Sequence, residues 1–273
     1  MNRTNDRFEG KATGTAFVDR AKGLRGRILN ATLPQRFVFH HVPKCGGTSV
    51  GRAFRKRYLL SQATISPEAS FRAYQAFTGR RDREQMLVDV LDLREQMLLY
   101  HLYSDTRCVS AHVAFSDIAY SGFSDSYKFV TILREPVSRF LSHFNWSHAR
   151  DGAHARIEED FDTFLETERA KRMGATYVEY FAGRPPLSDI ATPKAIAKAI
   201  CNLNKFDVVG RLDDMARFER NILDKLGFRV RIGHENRASA PRSGIQRSNL
   251  TTAQLQMVQD LCAPDIAIYE AAP

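Results

Sequence analysis

The sequence is short of cysteine and of long apolar runs, and each shortage excludes a class of protein. Only four cysteines occur in 273 residues, Cys45, Cys108, Cys201 and Cys262. They are widely separated and form no C-x-x-C pair, so neither a zinc site nor a disulfide framework is indicated, and all four read as reduced thiols. No apolar stretch approaches the length of a membrane span, and the first 35 residues are polar, without the apolar segment of a secretory signal. The expectation is a soluble, cytoplasmic chain with no transmembrane segment, in which the N-x-[ST] triplets at Asn30, Asn145 and Asn249 are chance occurrences. The Walker A order G-x-x-x-x-G-K-[ST] is missing, and no acidic pair demands a metal ion. There is no internal repeat, no low-complexity tract and no RRM, KH or zinc-finger pattern, so nucleic-acid binding would rest on charge alone and is not expected.

What is present is a basic chain with enough apolar material for one α/β domain. Hydrophobic residues make up 43%, and the formal charge of +9 points to an anionic ligand, polymer or surface. The most informative stretch is Arg36 to Ser49, RFVFHHVPKCGGTS. Phe37, Val38 and Phe39 form a short β-prone run, and Pro43, Gly46 and Gly47 break it just before residues that can start a helix. A strand, a turn and a helix N-terminus leave backbone N–H groups pointing outward with the positive end of the helix dipole behind them. Such a junction binds phosphate or sulfate. Glycine allows close approach, Lys44 adds a point charge, and Thr48 and Ser49 add hydroxyl donors. Cys45, at the same N-terminus, is either a small space-filling residue or a thiol whose pKa the helix lowers, and the first reading is preferred.

The remaining pattern is read in chain order. Residues 1–35 form a flexible basic arm with one short helix at about Arg20 to Leu29, followed by a basic helix from Ser49 to Leu60. Ser66-Pro67-Glu68 has the form of a helix start, and Arg81 to His101 is a charged amphipathic helix. Residues 60–105 are therefore a helical insertion, either facing substrate or covering the sheet. Arg107 to Val113 is strand-like and ends near His112. Tyr127 to Leu133 is the clearest buried strand, followed by a helix through His148. Short helices follow at Phe161 to Glu168, Met173 to Phe181 and Pro193 to Asn202. A strand at Phe206 to Gly210 precedes helices at Met215 to Gly227 and Thr251 to Cys262. Open α/β sheets place ligands at the carboxyl ends of their strands, which aims Arg134 at the same edge as Lys44. In LREPVSRFLSHF, Ser138, Ser142 and Asn145 are four and then three positions apart and share one helix face beside the Arg134 guanidinium, a group shaped to grip phosphate.

Taken together, HVPKCGGTS, the His112-Val113 dipeptide and LREPVSRFLSHF resemble, in order and approximate spacing, the sulfotransferase family that includes heparan sulfate 2-O-sulfotransferase and its bacterial relatives. The likeness is firm over about residues 36–150 and looser over FDVVGRLDDMARF, HENRAS and DIAIYE; residues 1–35 and the insertion lie outside it. It implies an α/β, P-loop NTPase-like three-layer fold with a central, mainly parallel sheet flanked by helices, forming a single domain over 36–273. It also implies 3′-phosphoadenosine 5′-phosphosulfate (PAPS) as co-substrate, with no metal. Lys44, Cys45, Gly46, Gly47, Thr48 and Ser49 would hold the 5′-phosphosulfate, and Arg134 and Ser142 the 3′-phosphate. His112 would be the base that takes the acceptor proton, and Lys44 would act with it in catalysis. His40 and His41 read as strand residues, while His143, His148 and His154 are weaker candidates. The acceptor would bear a hydroxyl, as a sugar or acidic polysaccharide does, and nothing in the sequence sets an oligomeric state. Two rivals remain: a P-loop-type kinase, and a non-catalytic basic module for anionic polymers, which would need no histidine between its anion motifs.

Overall fold

Five short parallel strands set the architecture, and their residues explain why they lie inside. A computed structural model of the protein describes residues 20–149, 155–233 and 244–273. Strand β1 (Phe37–His40) is buried at every position, as is β3 (Cys108–Ala111), and β4 (Lys128–Leu133) is buried at every position except its first residue. Strands covered on both faces carry continuous apolar runs rather than alternation, and these three do. With β2 (Gln62–Ile65) and β5 (Val208–Arg211) at the edges, the order is β2-β3-β1-β4-β5, every pairing parallel. The fold is the expected α/β class, and the sheet is parallel throughout.

Helices cover both faces. Helix α1 occupies residues 20–32, and α2 is Gly47–Arg57. Between β2 and β3 come α3 (Pro67–Thr78), capped by Ser66, and α4 (Arg83–Tyr103), capped by Asp82. Helix α5 (Asp117–Phe123) precedes β4, and α6 (Pro136–His148) follows it. Then come α7 (Phe161–Leu165), α8 (Glu168–Gly174), α9 (Thr176–Phe181) and α10 (Pro193–Leu203). After β5, α11 (Met215–Leu226) ends on Gly227 with φ 74°, the left-handed conformation that glycine adopts without strain, and α12 (Thr252–Ala271) closes the chain.

Three sequence expectations need correction. Strand β2 was not foreseen: QATI is four residues long with only Ile65 buried, and its backbone pairing with β3 supplies what its side chains do not signal. The segment 161–181 is three helices rather than two, because Thr167 caps a separate α8 through a hydrogen bond from Ala170 N–H at 3.1 Å. Helix α12 does not stop at Cys262 but runs through Pro264 to Ala271. Its continuation is held by Asp265, fully buried, whose carboxylate accepts from Tyr177 N–H at 2.8 Å, Val178 N–H at 3.3 Å and Arg139 at 3.3 Å. Tyr177 and Val178 open α9, whose own N-cap, Ala175, offers no side-chain acceptor, so α12 caps α9 from across the core. Two apolar clusters result, one around the sheet and one joining α6, α7, α8 and α12. The HENRAS segment and His154 lie outside the described residues.

Candidate active site

The turn after β1 is built to leave the start of α2 open. Lys44 and Gly46 both take left-handed backbone angles, φ 65° and 76°. For lysine this conformation costs roughly 1–2 kcal/mol, so the surrounding turn must impose it. Gly46 is the N-cap, and no side chain caps the helix. That contrasts with α3 through α8 and α10 through α12, each capped by its own Ser, Thr, Asp or Glu, and with α9, capped by Asp265. No acidic residue stands in the first turn of α2. The dipole end and its N–H groups therefore face the neighbouring space without a competing carboxylate. Gly47 is equally constrained, because a Cβ there would fall inside the His41 imidazole.

Three neighbouring strands deliver side chains to this edge. His112 directly follows β3, and its carbonyl accepts from Arg94 of α4 at 3.3 Å; Arg94 is buried and is also held by Ser70 Oγ at 2.8 Å and the Pro67 carbonyl at 3.2 Å. Arg134 follows β4 and its guanidinium donates to the Lys44 carbonyl at 3.3 Å. Tyr177 fixes the Arg134 backbone, accepting from its N–H at 2.8 Å and donating to its carbonyl. Lys44 Nζ lies 5.2 Å from the centre of the Trp146 ring of α6.

One cleft of about 1690 Å³ gathers these groups. Lys44, Gly46, Gly47, Thr48, Ser49, His112, Arg134 and Ser142 all line it, together with Ser138 and Asn145 of the same α6 face. Cys45 does not line it. Its side chain is fully buried 3.5 Å from the Tyr177 hydroxyl, and burial pushes the thiol up, which goes against the lowered-pKa alternative and favours the space-filling one. His143 also lines the cleft, whereas His148 is exposed beside the Phe144 ring and lies outside it.

His41, expected as a strand residue, stands just past β1 in the cleft, its ring centre 3.9 Å from that of His112 with the planes inclined by 31°. Burial, reinforced by Arg55 and Lys44, lowers its pKa to about 4, so it is uncharged at neutral pH. His40, at the strand end, is fully sequestered beside Phe129 and Phe206, and burial likewise lowers it to about 4. Sequence reasoning missed Arg94 and, while it placed Asn145 on the cleft face, missed its partner: the amide donates to the Ile245 carbonyl at 2.8 Å and accepts from Ile245 N–H at 2.9 Å. Those bonds bring residues 244–247 to the cleft rim from 100 positions away. No short-range pattern could have signalled them.

The opposite wall combines apolar and charged groups: Leu87, Val88 and Leu91 of α4, Arg172 of α8, and Glu179 and Tyr180 of α9. Burial raises the Glu179 carboxyl, which accepts from Arg172 at 3.4 Å. Among the described residues no three His, Cys, Asp or Glu come together as a metal-ion group, and no helix is long and apolar enough to cross a membrane. The profile of a family described as the sulfotransferase family matches residues 32–270. A search of curated proteins found no match.

Proposed function

We propose that this chain, a member of the sulfotransferase family and so a transferase, moves the sulfuryl group of PAPS to a sugar hydroxyl, with His112 as the base. The observation that carries this reading is the convergence of an uncapped helix start, Lys44, Arg134 and His112 on one cleft at the carboxyl ends of β1, β3 and β4. The residues fit the donor: the first turn of α2 offers N–H groups to a 5′-phosphosulfate, and Arg134 with Ser142 offers a guanidinium and a hydroxyl to a 3′-phosphate. The donor, when bound, supplies an activated sulfuryl group and a phosphate leaving group.

The chain supplies the rest. Lys44 and the α2 N–H groups stabilise the negative charge that builds on the departing phosphate, in a site where water is displaced and their dipoles are already oriented. The Arg134 guanidinium donates to the Lys44 carbonyl, a contact that links the two anion-binding elements. A neutral imidazole at residue 112 takes the acceptor proton as the oxygen attacks, and His41, uncharged against it, adds no like charge that would oppose the imidazolium formed. A sulfuryl group carries less charge than a phosphoryl group, so cationic side chains and amides can supply the electrostatic stabilisation that phosphoryl transfer draws from metal ions. The far wall supports a sugar acceptor, since aliphatic and tyrosyl faces alternate there with Arg172 and Glu179, partners for hydroxyls.

Calorimetric titration with adenosine 3′,5′-bisphosphate tests the donor assignment. Wild type should bind with a Kd of micromolar order, about −8 kcal/mol, and Arg134→Ala should lose most of that affinity. No binding in either protein would overturn the assignment. A screen of saccharide acceptors with labelled PAPS then tests the sugar; transfer to protein tyrosine and to no saccharide would refute it.

A further inference from the structure

At the opposite end of the sheet from the cleft, four aliphatic side chains stand in the open within a field of one sign of charge. Leu29 of α1 and Leu33 just after it turn into the core, while Leu24 and Ile28, one turn apart, are 53% and 47% exposed. The flank that carries them also carries Arg25, which donates to the Leu60 carbonyl at 3.3 Å, and Thr32, whose carbonyl accepts from Arg57 at 3.1 Å. Those two bonds strap α1 to the end of α2 and the turn after it, where Leu59 and Leu60 are 74% and 65% exposed. The four side chains thus belong to two segments held side by side.

The charge around them is uniform. From residue 20 to residue 67 the chain holds ten Lys and Arg and no Asp or Glu. Arg20, Lys22, Arg25, Arg27, Lys56 and Arg57 are all exposed beside the aliphatic residues. Two carboxylates at this end are both engaged by cations, Asp105 by Arg36 and Arg107 and Asp207 by Lys128.

We propose that this face docks on the surface of a bilayer containing anionic phospholipids. Cations alone would suit any polyanion, but a polysaccharide or nucleic acid would leave Leu24, Ile28, Leu59 and Leu60 in water. An anionic bilayer takes both, because its headgroups meet the cations while the aliphatic side chains enter the boundary with the acyl chains. The strands run from this face towards the cleft, so a docked molecule opens its cleft away from the membrane and receives donor and acceptor from the aqueous side. The proposal is independent of which reaction the cleft performs.

Co-sedimentation of the full chain with vesicles tests it, comparing phosphatidylcholine alone with phosphatidylcholine mixed with phosphatidylglycerol. Wild type should partition onto the mixed vesicles, weakly onto the neutral ones, and lose binding as salt rises. The double variant Leu24→Ser with Leu60→Ser keeps every cation and should partition at least about tenfold less, while binding adenosine 3′,5′-bisphosphate as wild type does. If that variant fails to fold, Leu59→Ser, at the most exposed position, should show a smaller loss in the same direction. Absence of wild-type partitioning on mixed vesicles would overturn the proposal. So would serine variants that bind as wild type does, since the surface would then be a polyanion site read by charge alone.

Discussion

The two ends of the parallel sheet are made from similar residue types but treat their polar groups in opposite ways. At the amino end, buried Arg107 donates to the Leu33 carbonyl at 3.2 Å and Asn30 Oδ1 at 2.6 Å, while Lys128 reaches Asp207 at 2.7 Å and Phe129 N–H reaches the same carboxylate at 2.9 Å. Arg107 and Lys128 there close the edge. At the carboxyl end the start of α2 has no side-chain cap, Lys44 holds a left-handed backbone, and His40 Nε2 is buried with no hydrogen-bond partner among the described residues. The difference lies in who supplies the partners: at the amino end side chains of the protein cap the strand starts, whereas at the carboxyl end the start of α2 has no side-chain cap.

Substitutions at each end should therefore separate activity from stability, and the largest effect belongs to the cleft. Lys44→Gly should lower kcat about a thousandfold yet raise the denaturant midpoint, because glycine relieves a backbone cost of roughly 1 kcal/mol. A variant that keeps near-full rate would remove Lys44 from charge stabilisation. His112→Ala should lower kcat about a hundredfold or more with bisphosphate affinity unchanged, as calorimetry beside steady-state kinetics would show; a parallel loss of affinity would mean that His112 holds the donor instead. At the amino end the expectation reverses: Arg107→Ala should cost about 3 kcal/mol of stability, read by urea unfolding, with kcat per folded molecule preserved. A loss of kcat there would erase the distinction between the ends.

The smallest effect is a slope with pH. His40 and His41 have folded pKa values of about 4 against 6.5 unfolded, so on acidification the unfolded chain takes up protons that the folded chain refuses. Their neutral forms leave stability intact above pH 6.5, and stability then falls between about pH 6.5 and 4, by roughly 1.4 kcal/mol per pH unit for each ring. His40→Phe should reduce that slope by about one proton in urea titrations at successive pH values. An unchanged slope would show that the ring is already charged in the folded state.

Legibility followed the range of the interactions. The β1 loop, β4, Arg134 and the position of His112 were readable because each is a contiguous pattern of apolar run, breaker and polar residue. The Ser138, Ser142 and Asn145 face was readable from helical spacing, and all three line the cleft. What escaped depends on partners far off in the chain. Arg94 reaches His112, Asn145 reaches Ile245, and Asp265 replaces a missing cap on α9 and carries α12 through a proline. Strand β2 escaped for a different reason: its pairing is all backbone, and its side chains are too polar to mark it.

The contact between His41 and Gly47 limits how this loop can vary. The imidazole fills the volume where any side chain at 47 would begin, so Gly47 is not free to change by itself. In a library randomised at both sites, accepted substitutions at 47 should arise together with a reduction at 41, whereas changes at 41 alone would be tolerated while 47 stays glycine. The loop then has a one-way route through sequence space, in which His41 must shrink before Gly47 can grow.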